Sequence, residues 1–219
     1  MNFADAFSFL KKLAKNNNRD WFEKNKPQFL AIKESFEAFV ADIHQDMIEF
    51  EPEMAGLDPK KFVFRIYRDV RFSKDKRPYK KFISAGFSPK GKGTGVPGYY
   101  LQLEPGDRSF LCCGLYAPPP EDLGKIRQEI DYNGEELIKI TSEKKFRQHY
   151  TLWEEDALKS APKGYEKDHP YINWIRLKSF VVMNSLSDKQ VLSGNFRKQL
   201  ITAMKAGKPF NSFFRHALE

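Results

Sequence analysis

The chain has little that would commit it to covalent or metal chemistry. In 219 residues it carries two cysteines and four histidines. Cys112 and Cys113 are adjacent. Neighbouring strand residues point to opposite faces, so neither a disulfide between them nor a thiolate metal site is expected. Two thiols without a framework suit a reducing cytoplasm. No HExxH, CxxC or GxSxG pattern occurs, which removes the familiar zinc-protease, redox and nucleophile-elbow signatures. No metal and no cofactor are expected. No run reaches 18 apolar residues, so no membrane span and no membrane partner are expected. The opening MNFADAFSFLKKLAKNNN lacks a basic region followed by a clean apolar run, and it reads as a helix instead of a signal peptide. Internal repeats and long linkers are also missing. One α+β domain over residues 1–219 is therefore the simplest expectation.

Aromatic side chains and a local excess of cations fill the space these absences leave. Twenty Phe, nine Tyr and three Trp can build a large core. The formal net charge is +8, yet Lys60 to Lys92 alone holds twelve Lys or Arg against two acids, a net of +10. The remaining residues then sum to about −2, the difference of those two values, so the basic character is local. A compact run of cations beside an apparent strand is the mark of a surface that docks something negative.

Periodicity divides the chain into helices at both ends and strands between. Phe3, Phe7, Leu10 and Leu13 recur at helical spacing, stopping at Asn16-Asn17-Asn18. Asp20 and Glu23 have capping-box spacing and predict a short helix. A longer one is predicted after Pro27, with an apolar stripe from Phe29 through Phe36 and Ile43 to Phe50. Its outer face is acidic, with eight acids and one base from Lys33 to Asp58. Helices thus occupy about 3–50. The sheet is expected over about 62–117 as an antiparallel meander of three to five strands. FVFRIYR, KFISAGF, YYLQLEP and SFLCCGLYAP would supply those strands, with a glycine-rich connection after the second and a turn at Pro105-Gly106-Asp107. Pro118-Pro119-Pro120 ends the sheet. Helices and one more strand, in INWIRLKSFVVMNSLS, fill about 121–218. Gly207 is expected to cap a helix, with Pro209 beyond it and a last short helix carrying Phe213 and Phe214.

Two phosphate-loop patterns are decoys. Gly86 to Gly93 falls one residue short of a P-loop, and Gly93 to Gly98 matches GxGxxG. Both motifs need a helix to follow, and the sequence that follows is YYLQL, a strand.

The basic run supplies the candidate site. Arg65, Arg68, Arg71, Lys74, Lys76 and Lys80 would hold an anion, with Tyr79, Tyr99 and Tyr100 stacking or donating hydrogen bonds. The ligand is a phosphorylated small molecule or nucleic acid. An enzyme acting on a phosphorylated or carboxylated substrate is a second reading, with Asp69 or His169 moving a proton. His169 qualifies because Asp168 precedes it in the chain. A module for an acidic protein partner is a third. A structural role is the competing explanation: Arg68 or Arg71 would brace the sheet from inside against Asp69, or the acidic helix would neutralise the cluster. His44 falls beside the apolar seam of the long helix and reads as structural.

Several segments carry a resemblance. Asn17-Asn18-Arg19-Asp20-Trp21-Phe22, the run FRIYRDVRFSKDKRPYK, Gly98-Tyr99-Tyr100-Leu101-Gln102-Leu103, Gly114-Leu115-Tyr116 and Asp168-His169-Pro170 are spread over most of the chain. With them the chain resembles the bacterial and fungal conserved hypothetical proteins grouped as domain of unknown function 2461. The resemblance implies a compact cytoplasmic domain and assigns no activity, cofactor or catalytic residue.

Overall fold

The computed structural model describes residues 1–219. It is an α+β arrangement of seven helices and a five-stranded antiparallel sheet. Helix α1 spans Phe3–Lys15, capped by the Asn2 side chain, which accepts from the N–H groups of Ala4 and Asp5. Helix α2 spans Arg19–Ile48. The sheet comprises β1 (Ile83–Phe87), β2 (Gly98–Leu103), β3 (Ser109–Leu115), β4 (Thr151–Leu152) and β5 (Phe180–Leu186). Its order is β1-β2-β3-β5-β4. The first three strands form the expected meander, and β5 inserts between β3 and β4. Helices α3 (Pro120–Ser142), α4 (Lys144–Arg147), α5 (Ile172–Ile175), α6 (Asp188–Val191) and α7 (Phe196–His216) complete the chain.

Two compact units divide the residues. The first comprises 1–87, 100–111 and 185–201, and the second comprises 88–99, 112–184 and 202–219. In the first unit α1 packs on α2 through aromatic contacts: Phe9 lies 5.9 Å from Phe29, and Phe3 lies 5.0 Å from Phe39. The acidic outer face of α2 is answered by Arg197, whose guanidinium binds Asp42 and Asp46. His44 is buried and bonds the Met54 carbonyl at 2.8 Å, the structural role its sequence position indicated. In the second unit Phe180, Phe210 and Phe214 form the centre of the core. Gly114 has φ 117 and sits so close to the Phe180 carbonyl that a Cβ would overlap it, which excludes any side chain at this point of β3.

Helix boundaries differ from expectation at prolines and glycines. The expected break at Pro27 is absent, because α2 runs straight through it. Its cap is the Asn18 side chain, which accepts the Trp21 N–H at 2.9 Å, and not Asp20. Gly207 and Pro209 likewise lie inside α7. Gly207 is there for space: a Cβ would stand 2.7 Å from Cys113 Sγ and 3.0 Å from the Tyr150 hydroxyl. FVFRIYR is not a regular strand. It touches the sheet through two isolated bridges, Val63 with Ala85 and Tyr67 with Tyr79.

Candidate functional site

The site is a hairpin of the first unit. Residues 63–68 run antiparallel to 78–85, joined by backbone bonds from Phe64 N to Ser84 O, Lys80 N to Ile66 O and Arg68 N to Pro78 O. The pairing slips once, since between the bonds at Phe64–Ser84 and Ile66–Lys80 the first arm advances two residues and the second four. Lys81 and Phe82 take up the surplus. Asn17 fastens the hairpin to the loop between α1 and α2. Its side chain accepts the Tyr79 N–H and donates to the Tyr79 carbonyl, at 3.0 and 2.9 Å.

The connecting loop, residues 69–77, is braced by its own ions. Asp69 accepts Nε and Nη2 of Arg71 in a bidentate pair. Asp75 does the same for Arg77. Arg68 reaches across the loop base. Its Nη1 donates to the Arg77 carbonyl and pairs with Asp75, both at 2.9 Å. Lys76 Nζ donates to the Val70 carbonyl at 3.1 Å. These bonds depress both carboxyls: the Arg71 side chain and backbone N–H hold Asp69 below the ordinary aspartate value, and those of Arg77 hold Asp75 well below it.

This geometry sorts the sequence candidates. Arg65 is exposed and has no hydrogen bond or ion pair. Lys74 is exposed and unbonded. Arg71 is exposed and Arg68 partly so, each already matched by a carboxylate of the loop. The acidic helix is not what neutralises them. Lys76 is exposed with its ammonium on backbone carbonyls. Lys80 lies over the rings of Phe64 and Phe82 at 5.4 and 5.7 Å, a cation–π arrangement. Tyr79 and Tyr99 are buried. The Tyr79 ring stacks on Phe22 at 4.0 Å, so neither presents a face to a ligand. Tyr100 is half-buried, its hydroxyl on Gln102.

The ring of this hairpin that faces solvent most fully is not one of the tyrosine candidates. Phe72, at the head of the loop, is 97% exposed, and Arg71 stands 5.9 Å from its centroid. A phenylalanine between Arg71 and Ser73-Lys74 in a stretch too polar to be buried was the available signal.

Neither proton-transfer candidate has a free reacting atom. Both Asp69 oxygens are on Arg71. His169, in the second unit, accepts the Tyr171 N–H on Nδ1 at 3.1 Å, which leaves its proton on Nε2, directed at Asp131 at 2.9 Å. Its partner is Asp131 of α3, not the adjacent Asp168. No three His, Cys, Asp or Glu side chains gather into a set that could hold a metal ion. No helix is long and apolar enough to cross a membrane.

The profile of the conserved hypothetical protein family called domain of unknown function 2461 matches residues 5–213. The chain belongs to that family. No curated protein and no solved structure matches it.

Proposed function

We propose that this family member is an anion-binding protein, that its contact surface is the strand and loop of residues 65–77, and that the anion fitting it best is single-stranded nucleic acid. The observation that carries this is Phe72, an aromatic ring held 97% exposed at the head of a braced loop. Around it stand Arg71, Lys74, Lys76 and Arg77, all exposed. The carboxylate pairs do not exhaust the guanidiniums. Asp69 and Asp75 each occupy Nε and Nη2 of their arginine, and both Nη1 amino groups remain for phosphate oxygens. Lys74 adds an ammonium without a partner. A base on the Phe72 face contributes about 1–3 kcal/mol, and the cations supply the sequence-independent remainder. A free phosphorylated metabolite suits the tip less well, because such ligands are held in concave sites.

Filter binding with a fluorescent oligothymidine of about a dozen nucleotides, within the span of one small binding site, tests this. Binding is expected at low salt and should weaken steeply as salt rises. Phe72→Ala should weaken it about tenfold, the loss of one stacked base, with an unchanged melting temperature. No binding at low salt, or full binding by Phe72→Ala, refutes the proposal.

A further inference from the structure

A second feature of the same unit stands apart from the loop tip. Between α2 and residues 63–67 there is a cavity of about 210 Å³. One stripe of α2, at Phe22, Phe29 and Phe36, forms one wall, and Val63, Ile66 and Ile83 face it. Almost no polar surface is presented inside, so whatever enters must be hydrocarbon there, since a buried polar group without a partner is costly. Size limits it further. An engineered apolar cavity of about 150 Å³ holds one benzene. The present cavity takes a ring with a short arm, or a short acyl chain.

The rim decides what the far end of that ligand carries. Three charged residues line the cavity, Lys26, Lys33 and Arg65, and all are cations. Lys26 is paired with Glu23 at 2.9 Å and Lys33 with Glu37 at 2.6 Å. Arg65 has no such partner. The nearby carboxylate that feels its charge, Asp69, is already held by Arg71. The cavity mouth therefore combines an unmatched guanidinium with an exposed apolar lip, where Leu30 is 52% exposed. We infer that the cavity binds a small organic monoanion, a single aromatic ring or short acyl chain ending in a carboxylate. The hydrocarbon seats against Phe29 and Ile66, and the carboxylate meets Arg65.

Phenylacetate and hexanoate are the probes, with phenylethanol as the neutral isostere. Methyl NMR is run on the full chain at low salt, where the Arg65–carboxylate contact is not screened, and with no oligonucleotide present, so failure here is separate from failure of the loop proposal. Phenylacetate should shift the methyls of Leu30, Val63, Ile66 and Ile83 saturably, with a Kd below about 1 mM, the weak end of specific affinity. Arg65→Met keeps the aliphatic stem and should weaken phenylacetate about tenfold, the loss of one charge-assisted contact, leaving phenylethanol unchanged. Leu30→Trp narrows the mouth from an exposed helical position and should abolish binding while the fold, checked by melting temperature, persists. The inference is overturned by an absence of saturable shifts, by phenylethanol binding as tightly as phenylacetate, by shifts confined to other residues, or by full binding to Leu30→Trp. It is also overturned if sedimentation finds a dimer that phenylacetate leaves intact and Leu30→Trp dissociates, since the cavity would then seat a second copy of the chain.

Discussion

The Arg68 guanidinium lies 2.9 Å from a carboxylate oxygen of Asp75 and equally close to the Arg77 carbonyl. One side chain at the base of the loop thereby ties together its far arm. Phe72, in the same loop, is 97% exposed.

Arg68→Ala should loosen the loop specifically. Arg68 is only a quarter exposed, and its loss removes the pair with Asp75 and the bond to the Arg77 carbonyl, so a cost of about 1 kcal/mol is expected. Limited proteolysis should cut between Val70 and Lys76 in the variant and not in the parent chain. An uncut variant with the parent's melting temperature would remove the brace.

Asp75 makes the loop acid-sensitive. Its carboxyl lies below its ordinary 3.8 in the folded chain, chiefly through the Arg77 side chain, then the Arg77 backbone N–H and the charges of Arg68 and Arg77. A depressed folded value means the stabilisation is present above about pH 4 and fades as pH falls through the folded value. A carboxyl carbon NMR titration should find the Asp75 midpoint below that of an ordinary aspartate, returning towards it in Arg77→Gln. A parent midpoint at 3.8 or higher contradicts the pairing.

The two cysteines should be inert in the native chain. Burial pushes the Cys112 thiol up to about 12 and the Cys113 thiol well above its ordinary 9.0. The thiolate is the reactive form, and at pH 8 there is almost none. A chromogenic disulfide reagent should report no thiol before denaturant and two after. Prompt reaction of either thiol in the native chain would be incompatible with this packing.

His169 should matter for stability and not for proton transfer. Both ring nitrogens are committed, one to the Tyr171 N–H and one to Asp131. His169→Ala should cost about 1 kcal/mol, the loss of two part-buried hydrogen bonds. Amide exchange at Tyr171 should accelerate. An unchanged melting temperature and unchanged exchange would reopen a chemical role.

The apolar stripes of α1 and α2 and the strand–turn–strand run from 98 to 115 were legible because helix and strand periods are local properties. Pro27, Gly207 and Pro209 misled, because they break helices only where packing does not compensate. A proline sacrifices one N–H, and a 30-residue helix pinned by Phe22, Phe29 and Phe36 tolerates that loss. Gly207 looks like a cap until Cys113 and Tyr150 are seen to occupy the space a side chain would need. Short elements such as β4 and α6 have too few residues to show a period. Tyr79 was a reasonable stacking candidate in sequence, and what buries it is Phe22, distant along the chain.

Composition and order along the chain were enough to locate the excess of positive charge beside an apparent strand, and they hold no HExxH, CxxC or GxSxG pattern. They could not say which cations are already matched. That was settled when the loop closed, because a bidentate pair depends on the separation and orientation of two side chains and not on their spacing in sequence. Asp69 and Asp75 take Arg71 and Arg77 from one side, Arg65 and Lys74 are left over, and the most exposed ring is Phe72. The cavity beside Arg65 arises the same way, from two segments that meet only in three dimensions.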